Sequence, residues 1–309
     1  MITYSVVIPV KDEETSLPFL YKEIIAAFSS FKKNFEIIFI DDGSIDATYQ
    51  ILKKIRHKDP KVKIVKLLAN YGKSEALSAG FKYAKGSFVI TMDADLQDDP
   101  RDISNLLKPL YNGYDVSCGW RQKRRDTIVK KISSFLFNKG TTLLTGVQLH
   151  DFNCGLKAYK KRVCERLFIH GELHRFIPIL AAKQKFRITE VPVHNRSRRF
   201  GKSKFGLERS WRGVVDLITT IFITDYATKP AHFFGKIGLI FFTVGIGMDL
   251  YVTVIKFLTG STQERIPMLL AGILFMVLGI QLLSTGLIAE MVTHYNRNKE
   301  TYIVEEMLI

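Results

Sequence analysis

Three short segments gather carboxylates in a pattern that could do chemistry: Lys11-Asp12-Glu13, Asp41-Asp42-Gly43-Ser44 and Asp93-Ala94-Asp95-Leu96-Gln97-Asp98-Asp99. Each directly follows an apolar, β-branched run: YSVVIPV (4–10), FEIIFI (35–40) and SFVITM (87–92). Any one of them alone is an ordinary solvated turn or helix cap. Three at equivalent strand ends would repel one another unless a cation or hydrogen-bond donors lie between them. A hard divalent ion, Mg2+ or Mn2+, carrying a phosphate ligand meets that demand.

Other nucleotide sites fail on spacing. No G-x-G-x-x-G follows the first run, and acidic residues there would oppose a pyrophosphate. Gly72-Lys73-Ser74 and Gly201-Lys202-Ser203 each end like a P-loop, but the earlier glycine that motif needs is Leu67 in one case and Arg196 in the other. A metal-held nucleotide diphosphate remains. Cys118, Cys154 and Cys164 are odd in number and lack metal-ligand spacing, which speaks against a disulfide framework or a structural zinc. His57, His150, His170, His174 and His194 show no metal spacing either.

The elements that must hold these clusters alternate. A fourth apolar run lies at 62–67, and helical patterns fill 16–28, 48–56 and 73–84. Strands alternating with helices predict an α/β fold with a mostly parallel sheet, whose ligands bind outside the carboxyl ends of the strands. Residues 234–255 and 267–289 are different: each is apolar and long enough to cross a hydrocarbon core of about 30 Å. A C-terminal two-helix transmembrane hairpin is expected. Asp249, costly in lipid, should face a partner helix or an interface. Gly238 and Gly245 suggest helix packing, within the hairpin or in a possible homo-oligomer.

The formal net charge of +15 is not spread evenly. Residues 1–118 carry 16 Lys and Arg against 16 Asp and Glu, 119–232 carry 24 against 8, and 233–309 carry 5 against 6. A nucleic-acid partner would require a recognisable module beside the membrane hairpin, and none is present, so no nucleic acid is expected. The basic runs 121–131 (RQKRRDTIVKK) and 207–229 are interleaved with apolar residues, as in interfacial amphipathic helices on anionic lipid. The positive-inside rule then places both ends of the chain in the cytoplasm, and the expected location is the inner membrane.

The motifs PVKDEE, DDGS-x-D (41–46), NYGKSEALSAG (70–80) and MDADLQDDP resemble those of family 2 glycosyltransferases with the GT-A fold. DFNCGLKAY (151–159), HRFIP (174–178) and RRFGKSKFG (198–206) are similar to polyprenyl-phosphate glycosyltransferases, such as bactoprenol glucosyltransferases and, more distantly, dolichyl-phosphate mannose synthase. The resemblance covers essentially the whole chain. It implies a cytoplasmic GT-A (Rossmann-like) domain at 1–206, juxtamembrane amphipathic helices at 207–232, two transmembrane helices within 233–290 and a cytoplasmic tail at 291–309. It also implies transfer of a hexose, with UDP-glucose first among donors, from a nucleotide sugar to polyprenyl phosphate.

Carried over residue by residue, it implies that Asp93, Asp95 and Gln97 hold the metal. Pro9, Glu13, Asp41 and Asp42 would line the nucleotide, although Lys11-Asp12 stands where the family usually has Tyr-Asn. Arg198, Arg199 and Lys204 would approach the diphosphate. Arg121, Lys130 or Lys131, and Ser134 fall where relatives bind the lipid phosphate. Asp151 is either a general base or a residue that orients a basic side chain or the sugar hydroxyls. A processive polysaccharide synthase would carry a Q-x-x-R-W motif, which Arg209-Ser210-Trp211-Arg212 does not match. A nucleotide-binding adaptor without catalysis would not need Asp93 and Asp95.

Overall fold

A computed structural model describes residues 2–29, 34–122, 138–142, 145–171, 173–196, 230–262, 265–296 and 304–308. Expected sites at Lys130, Lys131, Ser134, Arg198, Arg199 and Lys204, and the expected interfacial stretch at 207–229, lie outside the described residues.

The chain forms two units, one of residues 1–217 with 300–309, the other of 218–299. The first is built on β1 (Tyr4–Val10), α1 (Leu17–Phe28), β2 (Phe35–Asp41), α2 (Thr48–Lys58), β3 (Val62–Leu67), α3 (Lys73–Tyr83) and β4 (Phe88–Thr91). It continues with α4 (Ile103–Tyr111), β5 (Val116–Trp120), β6 (Lys157–Lys160), α5 (Lys161–Cys164), α6 (Ile177–Lys183) and β7 (Ile188–Pro192). The sheet order is β7-β5-β6-β4-β1-β2-β3-β8, where β8 is Val304–Leu308. Strands β1 to β4 run parallel; β6 is antiparallel to β4 and β5, and β8 is antiparallel to β3.

The helices follow from their apolar spacing. In α1, Leu17, Leu20, Ile24 and Phe28 repeat at three and four residues, and all are buried against the sheet core. β1 is flanked by β2 on one side and β4 on the other, so the chain reverses its winding there. The crevice at such a switch point is where an open α/β sheet binds ligands, and it lies outside Val10 and Thr91.

The C-terminal boundary differs from expectation. From sequence, 291–309 is a tail; in the structure its last stretch is β8, paired with Ile64–Leu67 of β3. VEEML lacks the alternation that announces a strand, and it is ordered by the edge it covers, with Glu305 on Lys66 at 2.6 Å.

The second unit consists of α7 (Pro230–Thr259) and α8 (Ile266–Asn296), both long and apolar enough to cross a membrane. They pack closely along glycines. A Cβ on Gly238 would meet the Gly279 carbonyl at 2.7 Å, and one on Gly245 would meet the Gly272 carbonyl at 2.6 Å. These glycines therefore serve the hairpin itself. Asp249 faces the same seam, its Oδ1 against the position that a Cβ on Gly272 would take.

Candidate active site

The loops after β1 and β2 are zipped together before any ligand is considered. Glu13 N donates to Thr48 Oγ1 at 2.8 Å and Asp12 N to Ser44 Oγ at 3.0 Å. Ile45 N returns a bond to Asp12 Oδ1 at 2.9 Å, while Lys11 Nζ reaches the Gly43 carbonyl at 3.2 Å. Asp12 has φ of 54°, a left-handed conformation that Asn and Asp tolerate best. Lys11-Asp12 thus forms a turn closed by a cationic latch from Lys11.

Asp41 and Asp42 are both buried at the end of β2. Asp42 accepts from Tyr71 N at 2.8 Å and Gly72 N at 2.9 Å, which fixes the approach to α3. Burial pushes its carboxyl up, against the pull of those two amides. Asp41 accepts from Ser44 N at 3.0 Å through Oδ1, while its buried Oδ2 meets no donor among the described residues. Burial raises its pKa too, opposed by the Ser44 bonds and the Lys66 charge. Pro9, half-buried, is the penultimate residue of β1 and pairs with Ile40, next to Asp41.

At the end of β4, Lys73 Nζ binds Asp93 Oδ1 at 2.5 Å. Burial alone would raise the Asp93 pKa, but Lys73, then Arg121 and Lys157, outweigh it and hold the carboxylate below its ordinary value. Asp98 sits behind, accepting from Asp93 N at 3.3 Å; burial and then the Asp93 charge push it up to about 7. Asp95 Oδ1 accepts from Gln97 N at 3.2 Å, which turns the chain so that Asp93, Asp95 and Gln97 occupy one short loop. Gly155 packs against this loop so closely that a Cβ there would stand 2.6 Å from the Asp93 carboxyl carbon. The missing Cβ is what lets the Gly155 backbone sit against the carboxylate.

Two carboxylates and an amide oxygen are hard oxygen donors suited to Mg2+ or Mn2+. Among the described residues no three or more His, Cys, Asp or Glu side chains could enclose an ion. An ion held by these residues would take its remaining ligands from phosphate and water oxygens.

The acidic run continues into structural work. Asp99 pairs with Arg101 at 2.6 Å and with Arg196 at 2.7 Å. Although burial opposes its charge, the two arginines hold its carboxyl well below the ordinary range. Asp102 receives both the backbone N of His194 at 2.6 Å and its ring Nδ1 at 2.9 Å. DADLQDDPRD is thus divided between a half that carries the candidate metal ligands and a half that ties down residues 194–196.

Arg121, at the end of β5, forms a two-pronged ion pair with Asp151, Nε to Oδ2 at 2.7 Å and Nη2 to Oδ1 at 3.1 Å. Asp151 is 3% exposed and also accepts from Asn153 N at 3.1 Å. Burial opposes the Arg121 charge, but Asp151 more than restores it. The Arg121 charge is felt at Asp93 and Asp98, so this pair belongs to the same electrostatic neighbourhood as the β4 loop.

Sequence did not assign Lys73 or Lys157. Lys73 lies within the segment set aside as a failed P-loop, and its partner is 20 residues away. Lys157, buried on β6, bonds the Cys154 carbonyl and places a third cation near Asp93. The signal for Lys73 was present in NYGKSE, where a lysine and a serine open a helix directly after a glycine.

The family model of glycosyl transferase family 2 matches residues 5–168. The chain belongs to glycosyl transferase family 2. Likeness extends beyond the family domain into the hairpin. The dodecaprenyl-phosphate galacturonate synthase of Rhizobium johnstonii is 35% identical, covering 98% of this chain and 92% of that protein. The undecaprenyl-phosphate 4-deoxy-4-formamido-L-arabinose transferase of Aeromonas hydrophila is also 35% identical, over 93% of this chain and 87% of that one. Among solved structures, glucosyl-3-phosphoglycerate synthase from Mycobacterium tuberculosis superposes with a TM-score of 0.55 at 19% identity, covering 72% of this chain and 79% of that one. The same enzyme has been seen with Mn2+, UDP-glucose and glycerol 3-phosphate, with a TM-score of 0.53 at 20% identity. At these identities the likeness is one of fold, and the fold is the GT-A arrangement expected of a family 2 glycosyltransferase.

Proposed function

We propose that this family 2 glycosyltransferase is a membrane-bound, inverting enzyme that moves a sugar from a nucleotide sugar to polyprenyl phosphate. The observation that carries the reading is a loop of oxygen side chains set beside three cations. The Asp93-Asp95-Gln97 loop offers oxygen ligands for a metal-bound diphosphate, and Lys73, Arg121 and Lys157 supply positive charge next to it. Relatives that match through the hairpin carry polyprenyl-phosphate acceptors in their names.

In this reading Asp93, Asp95 and Gln97 would hold Mg2+ or Mn2+, which would offset the negative charge on the departing nucleoside diphosphate. Pro9, Glu13, Asp41 and Asp42 line the base and ribose, and the unpartnered Oδ2 of Asp41 is the kind of acceptor that a base N–H satisfies. Arg198, Arg199 and Lys204 approach the diphosphate. Arg121, with Lys130 or Lys131 and Ser134, receives the acceptor phosphate. A phosphate oxygen attacks the anomeric carbon as the bond from that carbon to the diphosphate oxygen breaks, so the configuration inverts.

A monoester phosphate has its second pKa at about 6, so the acceptor is mostly a dianion at neutral pH. No strong base is required. Asp151 is already engaged by both prongs of Arg121, and we assign it the orienting role. The chain's contribution is positioning and preorganised charge. The hairpin and the basic stretches at 121–131 and 207–229 would hold the domain on the cytoplasmic face of the inner membrane, with both termini cytoplasmic.

The donor is decided by screening purified protein, undecaprenyl phosphate and Mg2+ or Mn2+ against UDP-glucose, UDP-galacturonate, a UDP-linked 4-formamido-arabinose and GDP-mannose. One donor should yield a lipid carrying a single sugar. Long polymer, or no lipid product with any donor, contradicts the reading.

A further inference from the structure

Three consecutive residues at the start of α3 each hold a different segment of the chain. Lys73 binds Asp93, Ser74 binds His174, and Glu75 accepts from Gly171 N at 2.8 Å. The contact to His174 is double. Ser74 Oγ accepts from His174 N at 3.0 Å and lies 3.0 Å from its ring Nδ1. Ser74 is fully buried, so its hydroxyl proton must find an acceptor, and Nδ1 is the one in reach among the described residues. That bond makes Nδ1 an acceptor and leaves the ring proton on Nε2. Burial, with the positive charges of Lys73, Arg175 and Lys157, pushes the imidazole down to about 3, so the ring is neutral. Its Nε2–H makes no hydrogen bond to any described residue.

We infer that His174 is a substrate-binding residue: Ser74 locks it as a neutral Nε2–H donor, and that donor bonds a phosphate oxygen beside the Lys73–Asp93 pair. The inference rests on the proposed transfer between two phosphate-bearing substrates. The oxygen belongs either to the donor diphosphate or to the acceptor phosphate. A neutral donor suits a place already crowded with Lys73, Arg175 and Lys157, since it adds a directed bond without adding charge that would trap the product. Ser74 is a positioning residue that acts through the ring.

The test compares His174→Gln, whose amide can donate from nearly the Nε2 position, with His174→Phe, which keeps the bulk and donates nothing. Turnover is measured while nucleotide sugar and undecaprenyl phosphate are varied separately. Binding of UDP and of undecaprenyl phosphate in detergent is measured without turnover. His174→Phe should lose roughly 10- to 100-fold in kcat/KM or affinity for one of the two phosphate substrates, and His174→Gln no more than about threefold. The substrate whose value moves identifies the phosphate. Ser74→Ala should fall between them, with the loss in the same substrate. Equal losses in Gln and Phe that track a lowered melting temperature would show a packing role and overturn the inference, as would a fully active Phe variant. If the wild type transfers no sugar to undecaprenyl phosphate, the proposed function falls, and the binding arms still decide the role of His174.

Discussion

At the residue scale the informative pair is Arg121–Asp151. A buried ion pair breaks expensively because the survivor keeps an uncompensated charge, so Asp151→Ala should destabilise the protein by about 3–5 kcal/mol in thermal or denaturant unfolding. Asp151→Asn keeps the shape and should retain measurable transfer, with the acid limb of the pH–rate profile unmoved. A general base would instead lose that limb together with activity. His174 gives a second test, in stability. Its folded-state pKa of about 3 lies below the ordinary 6.5, so under acid the unfolded chain binds the extra proton. The stabilisation is complete above 6.5 and declines as the pH falls toward 3. His174→Gln should flatten that decline, as read from melting temperatures across pH 4–7. That Asp93, Asp95 and Gln97 share one loop after a strand was legible from the apolar run before them, whereas their metal-binding role came from the family resemblance. Ser74 and His174 were not paired from sequence, because 100 residues separate them and only the fold brings them together.

At the element scale, two contacts carry structure that periodicity could not announce. β8 shields the edge of β3 and completes its ladder. Deleting 304–309 should lower the melting temperature and promote aggregation, whereas Glu305→Gln, at a half-exposed ion pair, should cost less than about 1 kcal/mol. The α7–α8 seam is tighter: any side chain at Gly272 collides with Asp249. Gly272→Leu should cost about 1–3 kcal/mol in detergent unfolding, an overpacking effect. The strands and helices from Tyr4 to Thr91 were legible because alternation and β-branching set them locally. The hairpin was legible because two long apolar segments have few other uses in a chain this size. β8 was not, because an edge strand takes its order from its neighbour.

At the scale of the whole molecule, the charge of +15 divides into a neutral first part, a basic middle and a nearly neutral hairpin. Where the basic segment enters the described structure, Arg121 and Lys157 converge with Lys73 on the carboxylates of the β4 loop. Anions are thus invited to a place that also offers metal ligands, and in the account given above those anions are a nucleotide diphosphate and a lipid phosphate. The most direct test is transfer of labelled sugar onto undecaprenyl phosphate by membranes containing the wild type or Asp95→Ala. The account predicts a lipid bearing one sugar from the wild type and loss of at least about 100-fold from Asp95→Ala, in line with removal of an electrostatic transition-state contact. Equal activity in the two, or label appearing in long polymer, would contradict it.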